Sequence, residues 1–214
     1  MCKALIKLSE FKLTHSHFFT SSRSNHGRAI LFEANFSRGG KTMAMDPAWV
    51  IDRLESNVSV FQGQLRLVRS VQASWKPAPD EWSLVEVVNH LAEEEVDDFR
   101  LRLRSLLENP SREWPNIDPE RSVVERRFNS RDLQESLHRF TRERARSVEW
   151  LRTLPPVNWQ VAHNHPKLGS LRAGDLLCSW LAHDFIHIRQ INSLHYLYQA
   201  NTSPEYSTAY GGTW

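Results

Sequence analysis

Cysteine is scarce in this chain. Only two occur in 214 residues, Cys2 and Cys178, which argues against a disulfide framework and suits a reducing compartment. Long apolar runs are missing too: none approaches the roughly 20 residues that a membrane-spanning helix needs. The N-terminal stretch lacks the apolar core of a secretory signal. These absences point to the cytoplasm. Charge of one sign is also lacking. The net charge is +2, and residues 1–45 alone carry +5, so the remainder carries −3. A mildly acidic body gives no electrostatic basis for binding nucleic acid. Sustained apolar–polar alternation is absent, so no sheet is expected.

What is present suits one domain of ordinary size. Hydrophobic residues make up 40% of the chain, enough for a core, and eight Trp suggest helix packing or an aromatic-lined pocket. Residues 1–45 read differently from the rest. They are basic and Ser/His/Arg-rich in the middle, with no sustained period. A transit peptide or a genuine tail would look similar. Gly39-Gly40 can be encoded by a ribosome-binding sequence shortly before Met43 and Met45, and Asp46-Pro47 then opens a helix. The segment is therefore expected to be a disordered or spurious extension, with translation starting at Met43 or Met45.

Four helices follow. The first runs from Asp46-Pro47 to about Val71, with Val50, Ile51, Leu54, Val58, Phe61, Leu65 and Val68 at three- and four-residue spacing. The second opens at Ser83, with Glu86 completing a capping box, and reaches about Leu107 before Asn109-Pro110. A long loop over 109–128 contains Trp114. The third starts near Asn129-Ser130 and ends at Pro155-Pro156, with Leu133, Leu137, Phe140, Val148 and Leu151 as its apolar stripe. A second irregular stretch contains His163 and His165. The fourth helix runs from about Ser170 to Tyr198, and residues 201–214 form a loosely held tail. The expected fold is an all-α four-helix bundle over residues 46–200.

His183 and His187 lie one helical turn apart on the apolar stripe of the fourth helix, so both imidazoles project from one face. They are either core histidines bonded to backbone carbonyls or ligands of a shared metal ion. His90, at the edge of the apolar face of the second helix, is the best third ligand and tips the balance toward metal. Three imidazoles with an open coordination position describe a catalytic rather than a structural site. Glu94, Glu95 and Asp98 fall near the middle of the same face. Buried there, they would need an Arg or a metal-bound water as partner. The plainer reading of each carboxylate from Glu93 to Asp98 is a solvated charge run. Glu93, Glu94 and Glu95 are the catalytic candidates, to orient a ligand or accept a proton.

Rival constellations are weaker. Glu135-Ser136-Leu137-His138 has di-iron spacing, but His138 falls on the polar side of its helix. Cys178 reads as a small buried residue rather than a nucleophile. His163 and His165 read as exposed loop residues, with a pocket mouth as the alternative.

Two segments resemble the DinB/YfiT-like superfamily of metal-binding four-helix proteins. One is Trp82-Ser83-x-x-Glu86-Val87-x-x-His90-Leu91. The other runs from His165-Pro166 and Gly169 to His183-Asp184-x-x-His187-x-x-Gln190. The resemblance covers about residues 46–200 and implies that His90, His183 and His187 are the metal triad. It implies one divalent ion (zinc, nickel, iron or manganese) whose shell water completes. It also implies thiol-dependent S-transferase chemistry with bacillithiol, mycothiol or glutathione, or metal-dependent hydrolysis, on a small-molecule substrate. The lack of a second domain disfavours the mycothiol branch. A non-catalytic metal-containing stress-response or binding module is the alternative, and a homodimer through a helix face fits either reading.

Overall fold

The computed structural model describes residues 44–212, so all but the last two residues of the 1–45 stretch read as an extension lie outside the described residues. Helix α1 spans Pro47–Leu65. Asp46 caps it by accepting hydrogen bonds from the Ala48 and Trp49 amides, and Pro47 supplies a preset φ at the first helical position. It ends earlier than its apolar period suggests. The Gln134 side chain donates to the Leu65 carbonyl at 3.3 Å, occupying one of the acceptors left at the helix end, and the chain re-forms a short α2 over Ser70–Ala73.

Helix α3, Leu84–Glu93, opens on the expected capping box. Ser83 Oγ accepts from the Glu86 amide and the Glu86 carboxylate accepts from the Ser83 amide. It does not run unbroken. A π-helical turn, Glu94–Asp98, interrupts it before α4 continues over Phe99–Glu108. The expected loop over 109–128 holds helix α5, Pro119–Glu125, capped by Asp118. Asp118-Pro119 is the same signal as Asp46-Pro47. Helix α6, Leu133–Thr153, begins after its cap Asp132, a few residues later than expected, because Phe128–Ser130 forms a separate 3₁₀ turn.

The expectation of no sheet is overturned. Strands β1 (Ala162–His165) and β2 (Gly169–Arg172) form an antiparallel hairpin pairing His163 with Leu171 and His165 with Gly169. Four residues per strand are too few for alternation to register. Gly169 has φ +73°, which L side chains rarely adopt, and permits the turn. Helix α7, Ala173–Thr202, then runs past the expected end at Tyr198. The tail carries a 3₁₀ turn, Ala209–Gly211, and the Thr208 hydroxyl lies 3.4 Å from that of Tyr196.

Helices α1, α6, α3–α4 and α7 pack in a closed ring: α3 on α6, α6 on α1, α1 on α7 and α7 on α4. Among the described residues, no helix is long and apolar enough to cross a membrane. The core inside the ring is divided. One apolar cluster holds Phe61, Leu65, Val87, Leu91, Phe140 and Ile191. The other holds Leu54, Phe99, Leu103, Val148, Leu177 and Trp180. Each long helix passes from one cluster to the other through buried polar residues: Asn57 on α1, His90 and Glu93 on α3, Glu94 and Glu95 in the π turn, Arg144 on α6, Asp184 and His187 on α7. The polar layer thus lies mid-bundle.

Candidate metal centre

The three histidines meet in that layer, not at an open end of the bundle. His90 and His187 are buried, and His183 is partly exposed. One ligand atom from each lies within 4.8 Å of the others. His183 Nε2 is 3.3 Å from His90 Nε2 and 3.1 Å from His187 Nε2. Hydrogen bonding among the rings does not satisfy this arrangement. A single Nε2 offers one lone pair or one N–H, yet His183 Nε2 faces two partners. Metal coordination does satisfy it. Metal–nitrogen bonds of about 2.1 Å give nitrogen–nitrogen edges of roughly 3.0 Å in an octahedron and 3.4 Å in a tetrahedron.

The surroundings favour neutral imidazoles, the form that binds metal. Burial lowers His90 and His183 well below the usual histidine value, and neighbouring imidazoles push the same way. Burial takes His187 to about 4, against opposing pulls from Gln190 and Asp184. The Gln190 side-chain oxygen lies 2.8 Å from His187 Nδ1. That contact puts the proton on Nδ1 and leaves Nε2 its lone pair. Glu94 Oε1 faces His90 Nδ1 at 3.6 Å. Trp82 packs on the His90 ring and Phe99 on that of His183.

The solvated reading of the acidic run is wrong for its first three members, which are all buried. Their partners differ. Glu93 is bound by Arg126. Glu94 is pushed up to about 9, first by burial and then by Asp98, to which it is hydrogen-bonded. Burial also raises Asp98, against the pull of Arg102, whose Nε lies 3.0 Å away. Glu95 turns from the histidines to Arg144 and Trp180, each at 2.8 Å. Of the three catalytic candidates, Glu94 alone lies against a histidine of the cluster in these contacts.

Residues 59–191, a segment containing all three histidines, match the model of the DinB superfamily. The chain belongs to the DinB superfamily. YfiT from Bacillus subtilis, described as a probable metal-dependent hydrolase with an unusual four-helix bundle topology, has a similar fold. Its TM-score is 0.64 at 18% identity, covering 72% of this chain and 90% of that one. No curated protein matches.

Other sequence-derived positions in this DinB-superfamily chain fall as follows. His138 is exposed, as its helix phase requires. Cys178 is exposed rather than buried, because it lies off the apolar stripe of α7. His163 is buried, not a solvent-facing loop residue: it stacks on Trp114 at 4.0 Å and its Nδ1 lies 2.8 Å from the Pro110 carbonyl oxygen. The long loop and the hairpin are thereby joined. Arg102 sits over the Trp114 ring, linking that junction to Asp98. Arg144 was missed, yet it left a trace. It fills the gap in the stripe Leu133, Leu137, Phe140, Val148, Leu151, where an apolar residue is expected.

Proposed function

We propose that this chain is a metal-dependent enzyme whose His90, His183 and His187 hold one divalent cation and activate a water or a low-molecular-weight thiol. Its substrate would be a small electrophile, and its place of work the cytoplasm. The observation that carries this reading is the convergence of three Nε2 atoms, with His183 Nε2 3.1 Å from one neighbour and 3.3 Å from the other. Zinc, nickel or iron would suit an all-imidazole set, and manganese, which prefers oxygen ligands, rests on the family resemblance alone. Such a cation supplies a Lewis acid that makes a water or thiol nucleophilic near neutral pH.

The chain's own residues prepare the site. Gln190 fixes the tautomer of His187. Glu94 Oε1 faces His90 Nδ1 at 3.6 Å, just beyond hydrogen-bond distance. The Glu94–Asp98 pair holds a proton at neutral pH, because burial and mutual repulsion oppose full ionisation. A proton-holding pair beside the ligands can exchange protons with a reacting group. The protein described as a probable metal-dependent hydrolase shares the fold, which agrees with the hydrolytic branch of this reading.

The test begins with elemental analysis of protein purified without a His-tag or chelating column. About one divalent ion per chain is expected. His90→Ala and His187→Ala should each lose most of it, and His138→Ala should retain it. Turnover of electrophiles is then assayed with water alone and with a panel of low-molecular-weight thiols. Full metal content in His90→Ala would remove α3 from the site. A metal-loaded protein inert in every arm would leave a binding module.

A further inference from the structure

The polar layer contains a second constellation that touches none of the three histidine rings through its hydrogen bonds. Arg144 on α6 is fully buried, and four of its five N–H groups donate hydrogen bonds. Nε donates to Glu95 Oε1 at 2.8 Å. One terminal nitrogen donates to Asp184 Oδ2 at 2.7 Å and to the Leu54 carbonyl at 2.9 Å. The other reaches Asp184 Oδ1 at 2.7 Å and Glu95 Oε1 at 2.8 Å. Asn57 on α1 donates to Asp184 Oδ2 at 3.0 Å, and Trp180 Nε1 donates to Glu95 Oε1. One guanidinium therefore joins all four walls of the bundle.

Its two carboxylate partners occupy particular places. Glu95 lies in the π turn directly after the helix that carries His90. Asp184 lies between His183 and His187 on α7. A planar fork gripping both carboxylates sets the separation of α3 and α7 at the level where their imidazoles must meet. The grouping also holds two acidic side chains against one basic one, which suits a layer that receives a cation.

We infer that Arg144 is a positioning residue for the metal centre: bridging Glu95 and Asp184, it holds the helix of His90 at the coordination distance from that of His183 and His187. This rests on the metal reading above. A centre with bonds near 2.1 Å tolerates little error in helix separation, and a site lacking such support is left about an ångström too loose.

Cobalt(II) is the probe, because its visible absorption reports ligand number and geometry without turnover. Arg144→Lys keeps the charge and loses the fork. Glu95→Gln keeps the shape and loses the charge. Leu106→Ala, in the apolar cluster away from the layer, is a destabilised control. Folding is checked by circular dichroism, and cobalt and zinc affinities are measured at fixed pH. Arg144→Lys and Glu95→Gln should each weaken binding by roughly ten- to a hundredfold and shift the cobalt band. Leu106→Ala should lower Tm yet keep the wild-type band and affinity. If Arg144→Lys does not fold, Glu95→Gln decides. Wild-type affinity and an unaltered band in folded clamp variants would overturn the inference while leaving the metal reading intact. A wild-type protein that takes up no cobalt or zinc would overturn both.

Discussion

An imidazole enclosed by apolar side chains resists protonation, and at the scale of the residue that sets how this site answers to acid. His187 is lowered to about 4 from an ordinary value near 6.5. Between those two values the unfolded chain binds a proton that the folded chain refuses, so folding stability rises with pH there. The contribution of neutral His187 is present above about pH 6.5 and is lost as pH falls toward 4. In chelator-treated protein, His187→Gln should therefore gain stability relative to wild type as pH falls through that window. Thermal melts of the pair at several pH values check it, and a constant Tm difference would contradict the burial argument. Glu94 has the opposite sign. Raised to about 9, it costs stability as pH climbs from about 4.5 toward that value, and Glu94→Gln should gain on wild type over that range.

At the scale of the element, local chemistry explains most of what formed. Asp46-Pro47, the Ser83–Glu86 box and Asp118-Pro119 each open a helix by satisfying its first amides. The hairpin and the π turn escaped notice for different reasons. In the hairpin, four-residue strands carry too little period, and its turn rests on one glycine. A Cβ on Gly169 would meet nothing within 4 Å, so the cost of Gly169→Ala is backbone strain alone. That strain should cost about 1 kcal/mol, or roughly 3 °C in Tm, with metal affinity unchanged. An unchanged melt would show that the turn relaxes. The π turn is a tertiary product. Its wider winding lets consecutive residues serve different partners, Glu94 facing His90 and Glu95 facing Arg144.

At the scale of the whole molecule, a polar layer through the middle of the core is a liability unless every member is satisfied. Arg144 pairs the carboxylates on one side of it, leaving Glu95 Oε2 and Asn57 Oδ1 without a hydrogen bond, and a cation would satisfy the histidines on the other. Metal that binds only the folded form must then stabilise the entire bundle. At a free concentration one hundred times Kd the gain is about 2.7 kcal/mol, equivalent to roughly 5–10 °C in Tm. Removing metal with a chelator and restoring zinc or nickel should lower and recover Tm by that amount. The His90→Ala variant should show no such cycle. Identical melts of stripped and reloaded wild type would mean that the histidines hold nothing that stabilises the fold.

Periodicity and punctuation in the chain were enough to determine four long helices, their approximate limits and the two faces that present His90 and the His183–His187 pair. That information is local: helix phase follows from residue spacing, and caps follow from the residue at each end. Tertiary structure alone decided that the acidic run is buried, that its three glutamates go to Arg126, His90 and Arg144, and that His163 stacks on Trp114. Those outcomes depend on which helix lies opposite at each level. A carboxylate reads the same in sequence whether it faces water or a guanidinium across the core, and only the packing of the four helices chooses between them.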